Sequence, residues 1–357
     1  MKGMSVILEE IKRVTRKIGR PIQLMEVCGT HTVAIFRHGI RDVIPREISL
    51  LSGPGCPVCV TSVKDVDSAI AIAKMKGVVL TTFGDMMRVP GGIQSLDDVR
   101  GEGFDIRIVY SPLDALKLAL EDSSLQVVFF ATGFETTSPI IAGTLLEAEQ
   151  KGVKNFSIYS AHKLVPPALR ALVDSGDVRV DGFILPGHVS TIIGTKPYEF
   201  LASRYGKPSV ITGFNAEDII EGIYMLLRQL DENRAEVEIQ YTRVVKEQGN
   251  PKAVEVIWRY FEPADAYWRG IGTIPKSGLS LRKEYRSFDA LERFHPVVAD
   301  YPEPSGCSCG EVLRGMKTPL DCPMFATACT PESPVGACMV STEGSCAAYY
   351  KYGNRYG

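Results

Sequence analysis

The sequence predicts an α/β protein with two Rossmann-like, parallel-sheet domains and a small loop-rich and helical domain at its C-terminal end. Three observations predict it. Up to about residue 230, short β-rich apolar runs alternate with helical stretches across Gly, Pro and polar loops. The runs are nearly continuous in hydrophobicity, as expected of parallel strands covered on both faces. Further on, the apolar runs give out and six of the nine cysteines crowd between Cys307 and Cys346.

Eight runs qualify as strands: IQLMEV (22–27), EISLLS (47–52), GVVLTTF (77–83), IRIVY (106–110), QVVFFAT (126–132), FSIYS (156–160), DGFILP (181–186) and PSVIT (208–212). Helical segments follow several of them, among them SPLDALKLALED (111–122) and NAEDIIEGIYMLLRQL (215–230). The second opens on Asn215 as its N-cap. Alternating β and α elements build an open sheet with right-handed crossovers. Loop-rich punctuation at 121–126 permits a break, so the expected units are 1–123, 124–245 and 246–357. In the last unit, NPKAVEVIWRYFEPADAYWRG and RSFDALERF read as short helices with aromatic contacts.

Composition narrows the functional classes. At 357 residues the chain has the length for two or three domains, and its net charge of −2 gives no basic field for nucleic acid. The opening MKGMSVILEEIKRVTRKIGR carries charges at helical spacing and does not read as a secretory signal. Apolar stretches such as LQVVFFA (125–131) fall short of the ~20 residues that span a bilayer. The expected setting is the cytoplasm, with no membrane and no nucleic-acid partner. Thiols stay reduced there, so a dense cysteine group reads first as a metal or redox site.

The loops CGTHT (28–32), GPGCPVC (53–59), TFGDMMRVPGG (82–92), TGFETTSP (132–139), SAHK (160–163) and LPGHVST (185–191) all follow strands. In open α/β sheets such loops meet in a crevice beyond the carboxyl ends of the strands. Convergence on one cleft is therefore expected.

The six C-terminal cysteines are spaced C-x-C-x12-C-x6-C-x8-C-x7-C. Four thiolates make the usual complement of an iron–sulfur cluster, which leaves two to spare. Zinc sites favour C-x2-C knuckles, which this stretch lacks. Disulfides or free thiols are the remaining reading. A region with so few apolar runs favours a metal cluster as its staple, so the third unit is expected to be an iron–sulfur domain.

Cys56 and Cys59 form a C-x-x-C between a strand and the helical VKDVDSAIAIAKMKG. Thiols at a helix N-terminus are expected to have lowered pKa values and to shuttle between dithiol and disulfide. They equally fit half of a metal site, or a turn shaped by Gly and Pro with small buried side chains. Cys28 ends the run IQLMEV with His31 three residues on, which suits a nucleophile, a metal ligand or plain packing. Asp85, Arg88, Glu135, Thr136, Thr137, His162, Lys163 and His188 are further loop candidates. Of these His162 and His188, at successive strand ends, are favoured. No GxGxxG or Walker pattern supports a nucleotide site.

EVCGTHT, LLSGPGCPVCVT, TFGDMMRVPG, TGFETT, LPGHVS and CPMFATACTPESPVGACMVSTEGSCAAYYKYG occur in this order from about residue 22 to the C-terminus. Together they resemble the HypD family of [NiFe]-hydrogenase maturation proteins. The resemblance implies two α/β domains and a domain with a [4Fe–4S] cluster. It also implies a scaffold, shared with a small HypC-like chaperone, on which an Fe(CN)2CO unit is assembled. A HypE-like protein would deliver the cyanide, and the hydrogenase large subunit would receive the iron. By motif, Cys28 would hold that iron together with a cysteine of the chaperone, with His31 beside it. Cys56 and Cys59 would form a redox pair. The tail is similar to ferredoxin:thioredoxin reductase, in which a cluster lies beside a redox-active disulfide. The implied division puts Cys307, Cys322, Cys329 and Cys346 on the cluster and leaves Cys309 and Cys338 as the pair. The alternative function is a free-standing iron–sulfur thiol–disulfide oxidoreductase of that reductase type.

Overall fold

The computed structural model describes residues 3–176 and 179–353. All eight expected strands form, with ends within two residues of the apolar runs: β1 (Ile22–Glu26), β2 (Ile48–Ser52), β3 (Val78–Thr82), β4 (Ile106–Ile108), β5 (Gln126–Ala131), β6 (Phe156–Ser160), β7 (Gly182–Pro186) and β8 (Ser209–Thr212). A ninth, β9 (Val237–Ile239), is half-buried and too short to show as an apolar run. Every residue of β3 and β7 is buried, which is why these strands read as continuous rather than alternating.

The strands form two all-parallel sheets, ordered β2-β1-β7-β8-β9 and β4-β3-β5-β6. The second sheet is nested in sequence inside the first. The expected break at 121–126 is not where the chain changes sheets, since it lies between β4 and β5, which both flank β3. Sheet changes come instead between β2 and β3 and between β6 and β7. Parallel neighbours are joined through long crossovers, so local sequence carries no mark of which strand pairs with which.

Residues 251–281 differ from the helical expectation. A helix does form over Pro251–Tyr260, but an antiparallel hairpin follows, β10 (Phe261–Trp268) and β11 (Gly272–Leu281). The exposed residues of β10 include Pro263, tolerated on a strand with a free edge. The hairpin is pinned by the buried Trp268, whose Nε1–H donates to Ser277 Oγ at 2.8 Å. The expected N-cap at Asn215 is found at the start of the helix Ala216–Asp231, with Asp218 accepting from the Asn215 amide at 3.3 Å.

Three apolar cores result. One covers the outer face of the first sheet under the helices Met4–Ile18 and Ala216–Asp231. A second lies between the other sheet, the helices Pro112–Glu121 and Ser138–Gln150, and the hairpin. The central core joins Met25, Leu80, Val128 and Phe183 from both sheets with Cys56, Cys59, Cys309 and Cys338. The cysteine-rich tail is thus packed into the middle of the molecule, and its helix Ser345–Tyr352 lies on the helix Gly29–Arg37 through Phe36 and Tyr349. Among the described residues no helix is long and apolar enough to cross a membrane.

Register places the carboxyl ends of β1, β2, β7 and β8 at one edge, with Glu26 level with Ser52 and Ile184, and Pro186 with Thr212. Two of the loops leaving this edge touch backbone to backbone: the Gly29 amide donates to Gly55 O at 2.9 Å, and a Cβ on Gly55 would stand 2.2 Å from Cys28 N. Gly55→Ala is therefore expected to cost at least about 3 kcal/mol of unfolding free energy. Gly143→Ala is the control, because that helical position is open and the change should stabilise by about 0.5–1 kcal/mol. Urea denaturation of the two variants checks both signs.

Candidate functional site

Cys28 stands where β1 ends and the helix Gly29–Arg37 begins, in an extended conformation at the N-cap. It is 8% exposed, and its amide donates to Glu26 Oε2 at 3.0 Å. Glu26 is itself buried and accepts from Thr32 Oγ1 at 2.5 Å. Burial pushes its carboxyl up to about 7 against these hydrogen bonds. The Cys28 thiol is pushed up to about 12, first by burial and then by the charge of Glu343. Glu343 comes from the tail and accepts from Thr30 Oγ1 at 2.7 Å. A Cβ on Gly29 would meet it at 2.5 Å, so glycine is what lets the tail lean on this turn.

His31 is fully buried beside Cys28. Its Nε2 lies 2.9 Å from Gly213 O and 2.8 Å from Thr212 Oγ1. A carbonyl can only accept, so Nε2 carries the hydrogen and Nδ1 offers a lone pair that finds no partner among the described residues. Burial holds the imidazole at about 4, neutral under ordinary conditions. Phe214 stacks on His31 at 4.6 Å and on the exposed His188 at 3.9 Å, so His188 belongs to this site. His162 does not. It is buried against the hairpin near Phe261, with Nδ1 3.0 Å from Ser160 Oγ, and burial holds it at about 3. Lys163 is likewise buried and pairs with Asp65 at 3.3 Å.

Cys56 is the N-cap of the short helix Pro57–Val60, and its Sγ accepts from the Cys59 amide at 3.2 Å. Cys59 is wholly buried, and burial pushes its thiol well above the ordinary value. For Cys59 this corrects the expectation of a lowered thiol pKa. One turn of helix offers a small dipole, and removal from water outweighs it.

The tail comes to meet this turn. Cys59 Sγ lies 4.0 Å from Ala337 O, and the Cys59 and Cys338 thiols are within hydrogen-bonding reach of each other. Cys338 Sγ is 2.8 Å from Cys309 Sγ, and Cys309 in turn faces Cys307. Cys56, Cys59, Cys338, Cys309 and Cys307 therefore form an unbroken file of thiols through the central core. All six tail cysteines line one narrow, apolar-walled cavity. Cys346 faces Cys307, Cys329 and Cys322, and the Val335 amide donates to Cys329 Sγ at 3.3 Å. Among the described residues no three Cys, His, Asp or Glu side chains gather as a single-ion site.

Arg88 reaches from the loop after β3 to the tail, donating to Pro331 O at 2.6 Å and Glu332 O at 3.1 Å. Asp85 and Thr136 take no part in the thiol file, and Thr137 Oγ1 only closes its own turn on Phe134 O at 3.1 Å.

A family model named HypD, described as the hydrogenase formation hypA family, matches residues 2–353. The hydrogenase maturation factor HypD of Rhodobacter capsulatus is 47% identical over 97% of this chain and 94% of its own length. HypD2 of Bradyrhizobium diazoefficiens is 46% identical over 94% and 90%, and HypD of Azotobacter vinelandii 47% over 94% and 90%. The chain belongs to the HypD family of hydrogenase maturation factors.

In this HypD-family chain, Glu26, Glu343 and Phe214 are parts of the site that the sequence did not single out. A carboxylate between Met25 and Val27 near the end of the strand run IQLMEV was the available signal for Glu26. Glu343 and Phe214 lie 315 and 186 residues from Cys28 by position, and nothing local ties them to it.

Glu135, from TGFETT, is buried apart from the thiols and accepts from the Val165 amide at 3.0 Å. Burial raises its carboxyl from 4.5 to about 8. The folded state thus binds this proton more tightly than the unfolded chain, and the stability it contributes is full below 4.5 and lost as pH rises through about 8. Across that window Glu135 should lower unfolding stability by up to about 1.4 kcal/mol per pH unit. Glu135→Gln removes that component, so denaturation midpoints followed with pH should fall less steeply than in the parent chain.

Proposed function

We propose that this chain is the redox-active scaffold on which the Fe(CN)2CO unit of [NiFe]-hydrogenase is assembled. The observation that carries the reading is the file of thiols running from the tail cavity to the Cys56 loop, which touches Cys28 backbone to backbone. Cys28 holds the iron substrate as a thiolate, sharing it with a cysteine of a HypC-like chaperone. A soft thiolate suits low-spin iron. His31, neutral and with Nδ1 unengaged, stands three residues on and orients the Cys28 turn through its hydrogen bonds to Gly213 and Thr212.

The tail cavity fits a [4Fe–4S] cluster. Its polar donors are thiols, its walls are apolar, and a backbone N–H already points at Cys329 Sγ. A Cβ on Gly336 would stand 2.9 Å from Cys307 Sγ, so glycine keeps that wall open. Cys307, Cys322, Cys329 and Cys346 would hold the cluster, which would supply electrons one at a time to a Cys309–Cys338 disulfide and so restore the dithiol.

Cys309 and Cys338 store two electrons as a dithiol and pass them on by exchange. Cys338 sulfur attacks Cys59 of a Cys56–Cys59 disulfide and Cys56 leaves with the electron pair. Cys309 then attacks Cys338 and releases Cys59, each leaving sulfur taking up one of the thiol protons. The Cys56/Cys59 dithiol can then reduce a thiocyanate carried by a HypE-like donor. Two thiols become a disulfide, the donor thiol is restored with one proton, and cyanide passes to the iron with the second proton released. The finished unit goes to the hydrogenase large subunit. A free-standing disulfide reductase would need its pair at the surface, whereas Cys309 and Cys338 are buried under their own chain.

Anaerobic co-expression with a HypC-like chaperone should give infrared bands of metal-bound CN and CO, and about four irons and four sulfides per chain with a broad visible absorption. Cys28→Ser should lose the infrared bands and keep the visible absorption. Cys309→Ser should keep the cluster and stop cyanide attachment. A complex holding iron and the chaperone but lacking the infrared bands sinks the assignment.

A further inference from the structure

A second cavity, of about 130 Å³, lies away from the file of thiols. It forms where the helix Pro251–Tyr260 and β11 close over the loops that leave β5 and β6. The buried Leu164, Ile257 and Leu279 wall its inner end, and Glu135 and Ser138 make its floor. At the outer end stand the half-buried Pro197 and Val254 and the exposed Trp258, so the cavity opens to solvent there. Small-molecule sites favour such junctions, where an apolar pocket holds a few polar groups.

Water fills a space of this kind poorly. An ordered water needs about two to four polar partners, and only the floor offers any. An apolar cavity of about 150 Å³ takes up benzene readily, which sets the size of occupant that fits here.

The chemistry of the floor narrows the occupant further. Glu135 is 4% exposed, and the Val165 amide donates to both of its oxygens, at 3.0 and 3.3 Å. With burial raising it to about 8, the carboxyl is mostly neutral near pH 7 and carries an O–H. The hydrogen bonds made to it come from the backbone amides of Val165 and Glu135 itself, and amides cannot accept its proton. Ser138 Oγ donates instead to Phe134 O at 3.1 Å. The buried Tyr198 hydroxyl feels the charge of Glu135 but makes no hydrogen bond to it. A buried donor that meets no acceptor is costly, and an acceptor entering the cavity would relieve it.

We propose that this cavity binds a small neutral molecule, about the size of a six-membered ring, with a hydrocarbon surface and one hydrogen-bond acceptor held by Glu135. Ions fit it badly. An anion would find no cation among the lining residues, and a cation would exchange its water for hydrocarbon walls and one carboxylate. The site is independent of the thiol relay.

The test uses the full-length, cluster-loaded chain and the probes benzene and pyridine, two rings that differ in one acceptor nitrogen. Calorimetric titration near neutral pH should show both binding. Glu135→Leu, which keeps the bulk and removes the donor, should weaken pyridine about tenfold or more and leave benzene within about threefold. Glu135→Gln, which keeps an N–H donor, should hold pyridine within about threefold of the parent chain. Val254→Phe, which fills the mouth, should exclude both probes. Binding of neither probe to the parent chain overturns the site, and undiminished binding to the Phe variant overturns its location. Pyridine held equally well by the Leu variant overturns the role of Glu135 and with it the class of ligand. Should the Leu variant fail to fold, the infrared ring modes of pyridine bound to the parent chain decide. Modes of hydrogen-bonded pyridine support the inference, and those of pyridine in an alkane overturn it.

Discussion

The contact between the Cys56–Val60 turn and the Ala337–Val340 turn is what the rest of the structure serves. It brings Cys59 against Cys338 although about 280 positions separate them. Closing so long a loop is entropically unfavourable, and the contact itself is only a few small side chains wide. It is held because both turns are fixed elsewhere. The Cys56 loop is fixed through Gly55 on Cys28, and the tail through Tyr349 on Phe36, Arg88 on Pro331, and Gly270 on Gly310. Glycine recurs at these junctions because backbone must approach backbone, and a single methyl group would part the surfaces.

The strands were legible in the sequence because a parallel strand buried on both faces needs an unbroken apolar run, and each of the eight supplied one. Their partners were not legible. β1 and β2 pair beside β7 across the whole second sheet, an outcome decided by packing rather than by any local pattern. The hairpin at 261–281 was misread because WRYFEPADAYWRG mixes aromatics with polar residues at spacings that suit either period. In the site, strand-end position drew attention to Cys28, His31, Cys56, Cys59 and His188, whose loops share the carboxyl edge of one sheet. It failed for His162, which follows β6 in the other sheet and is covered by the hairpin. The meeting of Cys59 with the tail could not be read at all, because it depends on tertiary closure.

One rule explains the unusual protonation states. Glu26 and Glu135 are pushed up to about 7 and about 8, while His31 and His162 are pulled down to about 4 and about 3. Acids and bases move in opposite directions because burial penalises whichever form is charged. The same penalty raises Cys28 and Cys59, which is why a helix N-terminus failed to lower the Cys59 thiol. Against this background Lys163 and Arg269 stand out as buried cations. Lys163 has Asp65 to answer it, and Arg269 donates to the carbonyls of Thr61 and Pro90.

Dryness and reactivity are in tension in such an arrangement. Thiols buried in an apolar core are protected from stray oxidants, but they are also poor nucleophiles because the thiolate is hard to form. An exposed relay would have the opposite faults. A buried file of thiols requires the tail to share a core with the sheets instead of forming its own. Cys309, Leu313, Ala337 and Cys338 do pack with Leu80, Val128 and Phe183. The order of the tail's thiols therefore depends on the packing of both sheets.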